Sequence, residues 1–217
     1  MKIVCAIDNL DSGGAQRQIV SLSTFLKKRG HDVRLLTYHP ANFYLDQIRQ
    51  AQVPVTCLNH VWKLARPIAF RRFFSREQPD AVLAFLEGPS LYSELAGLPG
   101  RKWGLVVSER IQISEKRRSA IRTLHRLADY VTTNSHANRR AIEHLYPELR
   151  GRIVTIFNCL DLDLFAGSEI PQNNEVRFVV AATFQPRKNT LGLIKAAALL
   201  KSQQPETRFR IDWHGES

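Results

Sequence analysis

The chain is short of cysteine, of acid and of long apolar runs. Its three cysteines, Cys5, Cys57 and Cys159, are isolated. An odd, scattered count gives no disulfide framework and no zinc spacing, and a reduced, cytosolic compartment fits it best. The seven histidines show no ligand spacing of the H-x-x-x-H kind, so no metal site is expected. No run is long enough to span a bilayer, and the apolar start Ile3 to Ile7 is too short for a signal peptide. Asp and Glu total 20 against 31 Lys and Arg, a net charge of +11. The excess is uneven, with 12 basic and 5 acidic residues between Arg101 and Arg152. Such a balance favours an anionic partner (nucleic acid, an acidic membrane surface or a phosphorylated substrate), and charge alone does not choose among them or against a plain solvated face.

What is present is an ordinary globular composition, 44% apolar and 24% charged over 217 residues. At roughly 150 residues per domain the length suggests one large domain or one and a half. Short β-rich runs alternate with helical stretches. Strands are expected at 2–7, 32–37, 54–58, 80–85, 103–108, 130–133 and 152–156. Helices are expected at 15–29, 43–51, 67–76, 119–128 and 136–145, the fourth with Ile121, Leu124 and Leu127 on its buried side. The alternation implies an α/β fold, a Rossmann-like, doubly wound parallel sheet covered on both faces. The polar stretch 166–175 reads as a linker. The pattern then restarts with strand 176–183, helix 190–202 and strand 207–214. One such β-α-β unit cannot bury both faces of its strands, so it either packs on the first domain or begins a longer one. The expected division is 1–165, linker 166–175, and 176–217 as the start of a second domain.

The loop Asp8 to Ala15 is the sharpest local signal. It follows a buried strand and opens a helix, and Gly13 and Gly14 let a ligand approach the helix N-terminus, where unpaired N–H groups favour an anion. It is neither the G-x-G-x-x-G dinucleotide fingerprint nor a P-loop, and the next strand ends without an acid for a ribose. A plain strand-to-helix turn is the competing reading. After the fifth strand, Glu109 and Arg110 either face a cleft or form a surface ion pair. In the segment Trp62 to Arg76, Phe70, Phe73 and Phe74 are expected to pack on the sheet with solvated arginines between them. The rival reading lays this segment, or the basic run 115–126, on an anionic membrane.

Six short stretches in order resemble the retaining glycosyltransferases of family 4, enzymes of the two-domain GT-B fold. They are Gly13-Gly14-Ala15-Gln16-Arg17, Gly30-His31-Asp32-Val33, Pro79-Asp80-Ala81-Val82, Asn134-Ser135, Asn158-Cys159-Leu160-Asp161 with Phe165, and Lys188-Asn189. The resemblance covers the whole chain. It implies transfer of a sugar from a nucleotide-sugar donor to a glycan or lipid-linked acceptor with retention of configuration. It also implies no cofactor or metal, no nucleic-acid partner, and a cytoplasmic enzyme able to sit on the inner membrane face. It makes Lys188 the candidate catalytic residue. Gly13, Gly14, Gln16, Glu109, Arg110, Asn134, Ser135, Asn158 and Arg187 become candidate substrate contacts. Three positions depart from the pattern. Gln16 replaces an acid, Cys159 a glycine, and Ala182-Thr183-Phe184 the G-R-[LF] whose arginine meets the donor phosphates, with Arg187 left as the nearest substitute. The family's paired glutamates lie further along than Ser217, so the 217 residues by themselves are expected to hold part of a donor site and to turn over little. Two readings compete with a transferase: a non-enzymatic binder of nucleic acid or another anionic surface, and an inactive remnant. No RNA-binding signature, zinc-finger spacing or helix-turn-helix pattern supports the nucleic-acid reading.

Overall fold

A computed structural model describes residues 1–111, 120–160, 167, 175–184 and 186–215. The linker expected at 166–175 therefore lies outside the described residues except for Gly167 and Glu175. Two compact units form, Met1–Leu160 and Asp161–Ser217.

The first unit begins with β1 (Lys2–Ala6), a run of β-branched and small residues whose successive side chains turn to opposite faces. Val4 and Ala6 enter one apolar cluster, and Ile3, Cys5 and Ile7 the other. The remaining elements follow in alternation: α1 (Gly14–Lys28), β2 (Asp32–Thr37), α2 (Leu45–Gln50), β3 (Val55–Cys57), α3 (Arg66–Glu77), β4 (Ala81–Phe85), α4 (Glu87–Ala96), β5 (Gly104–Glu109), β6 (Tyr130–Thr133), α5 (His136–Leu145) and β7 (Ile153–Thr155). All seven strands are parallel, in the order β3-β2-β1-β4-β5-β6-β7. Ile19 and Val20 of α1 and Ile48 of α2 cover one face of the sheet. Phe70, Phe73 and Phe74 of α3, Tyr92 of α4 and Ile142 of α5 cover the other. The three phenylalanines thus pack on the sheet, as expected. This is the Rossmann-like α/β fold, and strand order reverses between β1 and β4, so the ligand-binding crevice of such sheets lies beyond the C-terminal ends of those two strands.

Local chemistry sets the helix ends. Gly30 takes a left-handed φ of 85°, and the N–H groups of Gly30 and His31 return to Lys27 and Leu26, closing α1. Ser135 caps α5 by accepting from the Asn138 N–H at 3.1 Å. Helix α4 has no counterpart in the sequence reading, because Gly88, Pro89, Ser90 and Ser93 look like turn residues. It forms because Pro89 sits in the first turn, where no N–H is needed, and because small Ser90, Ser93 and Ala96 let the helix lie close on the sheet.

Residues 120–127, expected as an α-helix, are a 3₁₀-helix. Its inward stripe is Arg122, His125 and Ala128, while Ile121, Leu124 and Leu127 are only half-buried. The three-residue spacing of that stripe is the 3₁₀ period. Two buried carboxylates, on α4 and β5, draw the charged stripe inward in place of the apolar one.

The second unit is a parallel pair, β8 (Val176–Ala181) and β9 (Phe209–His214), joined through α6 (Thr190–Gln203). None of its described residues is buried.

Candidate functional site

The candidate residues of the first unit gather where the strands end, at the C-terminal edge of the large sheet. After β1, Asp8 and Asn9 hold the side chain of Gln16 from α1: Gln16 Nε2 donates to Asp8 Oδ1 at 3.2 Å and to Asn9 Oδ1 at 3.3 Å. Gln16 replaces an acid in the pattern of the resemblance and acts here as the donor that ties the loop. Gly13, with φ −173° and ψ 157°, is extended backbone open to any residue, and Gly14 is the first helical residue. Neither needs glycine for its conformation. A side chain on Gly13 would strike the Gln16 amide, but a Cβ on Gly14 would meet no heavy atom of the described residues within 4 Å. Among the described residues, the space beside Gly14 is open.

Electrostatics distinguishes the two helices that flank the crevice. The first turn of α1 carries no acid, whereas that of α4 carries Glu87. Arg122 reaches Glu87 Oε2 at 3.1 Å. The first turn of α1 is thus the one of the two without an acid of its own, and Asp8, whose carboxylate accepts from Gln16, is held in the preceding loop. At the end of β4, Leu86 holds a left-handed φ of 74°, an outlier for a bulky residue at the rim of the crevice.

After β5 the two neighbours part. Glu109 is neither a cleft group nor the surface partner of Arg110, the two places the sequence allowed it. It is 3% exposed and accepts from His125 Nε2 at 2.9 Å and Arg122 Nε at 2.9 Å. His125 Nδ1 meets Glu94 Oε1 at 2.6 Å. Burial pulls the imidazole's pKa down, but the hydrogen bonds and charges of Glu109 and Glu94 overcome it and hold His125 at about 9. Against a like burial penalty, the same imidazole and Arg122 keep Glu109 below the usual carboxylate range. Glu94 is pushed up, because burial outweighs its single cationic neighbour. The result is a buried chain of ionisable groups from Glu94 on α4 through His125 and Glu109 to Arg122, which ends on the half-exposed Glu87.

Arg110 turns the other way. Its guanidinium lies 4.5 Å over the Phe85 ring, donates from Nε to Ser108 Oγ at 2.7 Å and from Nη1 to Asn158 Oδ1 at 3.0 Å. Burial lowers its pKa, and no carboxylate pairs with it among the described residues. The segment after β7 crosses to α1 here. Gln18 Nε2 donates to the Cys159 carbonyl at 3.0 Å, and Gln18 Oε1 accepts from the Cys159 N–H at 2.9 Å. Six of the candidates from this unit, Gly13, Gly14, Gln16, Arg110, Asn158 and the half-buried Asn134, stand on this edge. Ser135 also stands there, with its hydroxyl committed to the α5 cap.

Sequence reading missed Tyr38 and Arg66. At the end of β2, Tyr38 is buried with Arg66 stacked 4.2 Å over its ring. Two aromatic neighbours for an arginine that is 28 residues away carry no local signal.

In the second unit, Lys188 is exposed in a one-turn 3₁₀-helix, 186–188, that follows β8 and leads into α6. The side chain of Arg187 lies outside what is described. Trp213 donates from Nε1 to the Ala182 carbonyl at 2.7 Å and stacks on Phe184 at 4.7 Å. Ala182 and Phe184 are therefore engaged with β9. Among the described residues, no three of His, Cys, Asp and Glu converge as a metal would require. No helix among them is long and apolar enough to cross a membrane.

The sequence pattern of Glycosyltransferase Family 4 matches residues 12–164. Among solved structures, the Anabaena protein Alr3699/HepE in complex with UDP superposes with a TM-score of 0.68 at 14% identity, covering 100% of this chain and 70% of its own. The same protein is also seen with UDP-glucose. A glycosyltransferase from Rickettsia africae gives 0.73 at 14% identity, over 98% of this chain and 68% of that one. The lipopolysaccharide outer core galactosyltransferase WaaB gives 0.66 at 13%, over 100% and 68%. At these identities the likeness is one of fold. No curated protein sequence matches the chain.

Proposed function

The chain belongs to glycosyltransferase family 4, and on that premise we propose that it takes a nucleoside-diphosphate sugar as donor and transfers the sugar, with retention of configuration, to a hydroxyl of a glycan or lipid-linked acceptor. We place this work in polysaccharide assembly at the cytoplasmic face of a membrane. The observation that carries the reading is the space beside Gly14 that no described residue fills, in the first turn of α1, where the strand order reverses.

The chemistry follows from charge. As the bond from the anomeric carbon to the diphosphate oxygen breaks, positive charge grows on the sugar and negative charge on the leaving diphosphate. Donors already fixed in place stabilise that charge without reorganising. In the first unit we assign the α1 N-terminus to phosphate oxygens of a substrate. In the second unit, taken by itself, Lys188 is assigned the role on the leaving diphosphate that the resemblance implies. Arg110, held on three sides and paired with no carboxylate among the described residues, is a further cation prepared for an oxyanion. Asn134 and Asn158 are assigned to sugar hydroxyls. No step in this scheme calls for a metal ion or a redox cofactor.

The test is retention on an immobilised nucleoside diphosphate, with elution by free UDP or GDP, followed by NMR of the anomeric proton in any product. Elution by nucleotide together with an unchanged anomeric configuration supports the reading. Binding that ignores nucleotide and falls steeply with salt on any DNA or RNA would instead favour the rival nucleic-acid reading. An inverted product would remove retention and leave the transfer itself standing.

A further inference from the structure

The charge excess lies in two regions, and the structure treats them differently. Of the 12 basic residues between Arg101 and Arg152, several are occupied: Arg101 pairs with Asp129, Arg122 with Glu109, and Arg139 with Glu143. The other region is 47–76, thirty residues with six cations (Arg49, Lys63, Arg66, Arg71, Arg72, Arg76) and no Asp or Glu at all. Arg71 there is occupied by the carbonyls of Ala96 and Leu98 at the end of α4, and Arg66 by Tyr38 and Tyr92. The two acids that bound the region take one cation each, Asp46 pairing with Arg49 and Glu77 with Arg76 at 3.3 Å, the latter on a side chain that stays exposed. Lys63 and Arg72 are exposed and pair with no carboxylate among the described residues.

Beside these cations stand apolar side chains that the core did not take. Trp62 is 71% exposed, Leu64 70% and Ile68 58%, while Phe70 and Phe74 on the opposite side of the same helix are fully buried. Ile68, Arg72 and Arg76 follow at four-residue spacing along α3, one above another on one stripe. An open groove of about 560 Å³ runs between that stripe and Leu58 and Val61. Helix α3 starts at the C-terminal edge of the sheet, so Trp62 and Leu64 lie at the edge that carries the candidate site. The long stems of Arg72 and Arg76 can lie on apolar surface with their guanidinium heads in water.

We propose that the face formed by Trp62, Leu64, Ile68, Lys63, Arg72 and Arg76 docks on the surface of an anionic lipid bilayer. Trp62 and the two aliphatic side chains enter the headgroup region, and the cations meet lipid phosphates. Tryptophan favours that interface, and basic residues beside an apolar stripe bind it when the leaflet is acidic. The complete lack of acid over thirty residues is the charge complement of such a leaflet. A docked face at this edge would present the site to an acceptor held in the membrane. The proposal deepens the membrane-side reading of the function given above, and it names the face.

The test is sedimentation of the full 217-residue chain with phosphatidylglycerol–phosphatidylcholine vesicles and with phosphatidylcholine alone, at low and at high salt. We expect binding to the anionic vesicles, relief by salt, and a blue shift of tryptophan emission that Trp62→Phe abolishes. Trp62→Ser/Leu64→Ser/Ile68→Ser and, separately, Lys63→Glu/Arg72→Glu should each weaken partition about tenfold or more. Because all five side chains are exposed, the circular dichroism should be unchanged. Arg139→Glu/Arg140→Glu, in the other basic region, should leave binding as it was. If that variant loses binding and the first two keep it, the face is wrong while the membrane reading stands. If the wild-type chain binds neither vesicle, both fall, and retention on nucleotide, measured on the same preparation, still reports the transferase reading separately. Capture by heparin with no partition into vesicles would put a soluble polyanion in the bilayer's place and overturn the proposal.

Discussion

Two strands of near-identical character have opposite fates in this chain. β1 and β8 are both parallel, both rich in β-branched residues, and each begins a β-α-β unit. In β1, Val4, Cys5 and Ala6 are wholly buried, while β8 has no buried residue. The difference lies in their neighbours. β1 sits third in a sheet of seven, with α1 and α2 on one face and α3, α4 and α5 on the other. β8 has β9 for a partner in its sheet. An apolar run predicts a strand, and the number of strands around it decides whether its apolar area leaves water, at about 25 cal/mol per Å².

The largest test of this contrast is native-state hydrogen exchange. Amides of β4 and β5 should exchange only through global unfolding, and those of β8 and β9 through local opening, about a thousandfold faster or more. Equal protection in the two sheets would show that burial does not account for their difference.

A second test breaks the buried charge chain of the first unit. His125→Ala leaves Glu94 and Glu109 facing each other without their shared cation and should cost about 3–5 kcal/mol by urea unfolding. Glu94→Gln should cost less, since Glu94 Oε2 has no partner among the described residues. The sign with pH follows from His125. Its pKa is raised on folding to about 9, so its contribution is complete below pH ~6.5 and is lost as pH rises through the folded value. Stability of the wild type should therefore fall between pH 7 and pH 10, and that slope should vanish in His125→Ala. A wild-type curve flat over this range would mean that the imidazole is held neutral.

A smaller energy is expected at Lys188, the residue of the second unit proposed to be catalytic. Lys188 is exposed, so Lys188→Ala should keep the melting temperature. By analogy with a lost oxyanion donor it should still cost roughly 2–4 kcal/mol in the transition state, about 30- to 1,000-fold in kcat/KM. Unchanged kinetics in that variant would remove Lys188 from the diphosphate.

The smallest stability change is expected at Gly14. Its backbone is helical and a Cβ there meets nothing, so Gly14→Ala should leave stability within about 0.5 kcal/mol or raise it. Weaker nucleotide retention in that folded variant would locate the ligand in the open space, and undiminished retention would move it elsewhere.

How far the sequence could be read depends on the range of the signal. Strands and most helices were legible because apolar periodicity is local, and the edge of the sheet that carries Gly13, Gly14, Arg110 and Asn158 follows from the parallel strand order. Helix α4 was not legible, since Gly88, Pro89 and two serines are turn formers until a sheet lies beneath them. The placement of Glu109 was not legible either. It depends on His125 and Arg122, 16 and 13 residues further along, and on Glu94, none of which makes a motif with it. The same long-range pull turned the 120–127 segment so that its charged stripe, rather than Ile121, Leu124 and Leu127, faces inward. Arg110 and Asn158 are 48 residues apart, and each was marked by its own loop while their hydrogen bond was not.

The cysteines, unremarkable as a count, have a practical consequence. Cys5 is fully buried and its thiol is pushed up to about 11, so it should stay silent toward maleimides and disulfide reagents at neutral pH. Cys57 and Cys159 are exposed. Cys57 ends β3, between Thr56 and Leu58, which line the groove along α3, and Cys159 stands against α1, hydrogen-bonded to Gln18. The unaltered chain therefore offers two attachment points for spin or fluorescent labels, one on the strand that leads toward the face proposed to meet lipid and one against the helix whose N-terminus is proposed to meet nucleotide. Replacing either cysteine with serine leaves a single reporter, so the two contacts can be watched one at a time.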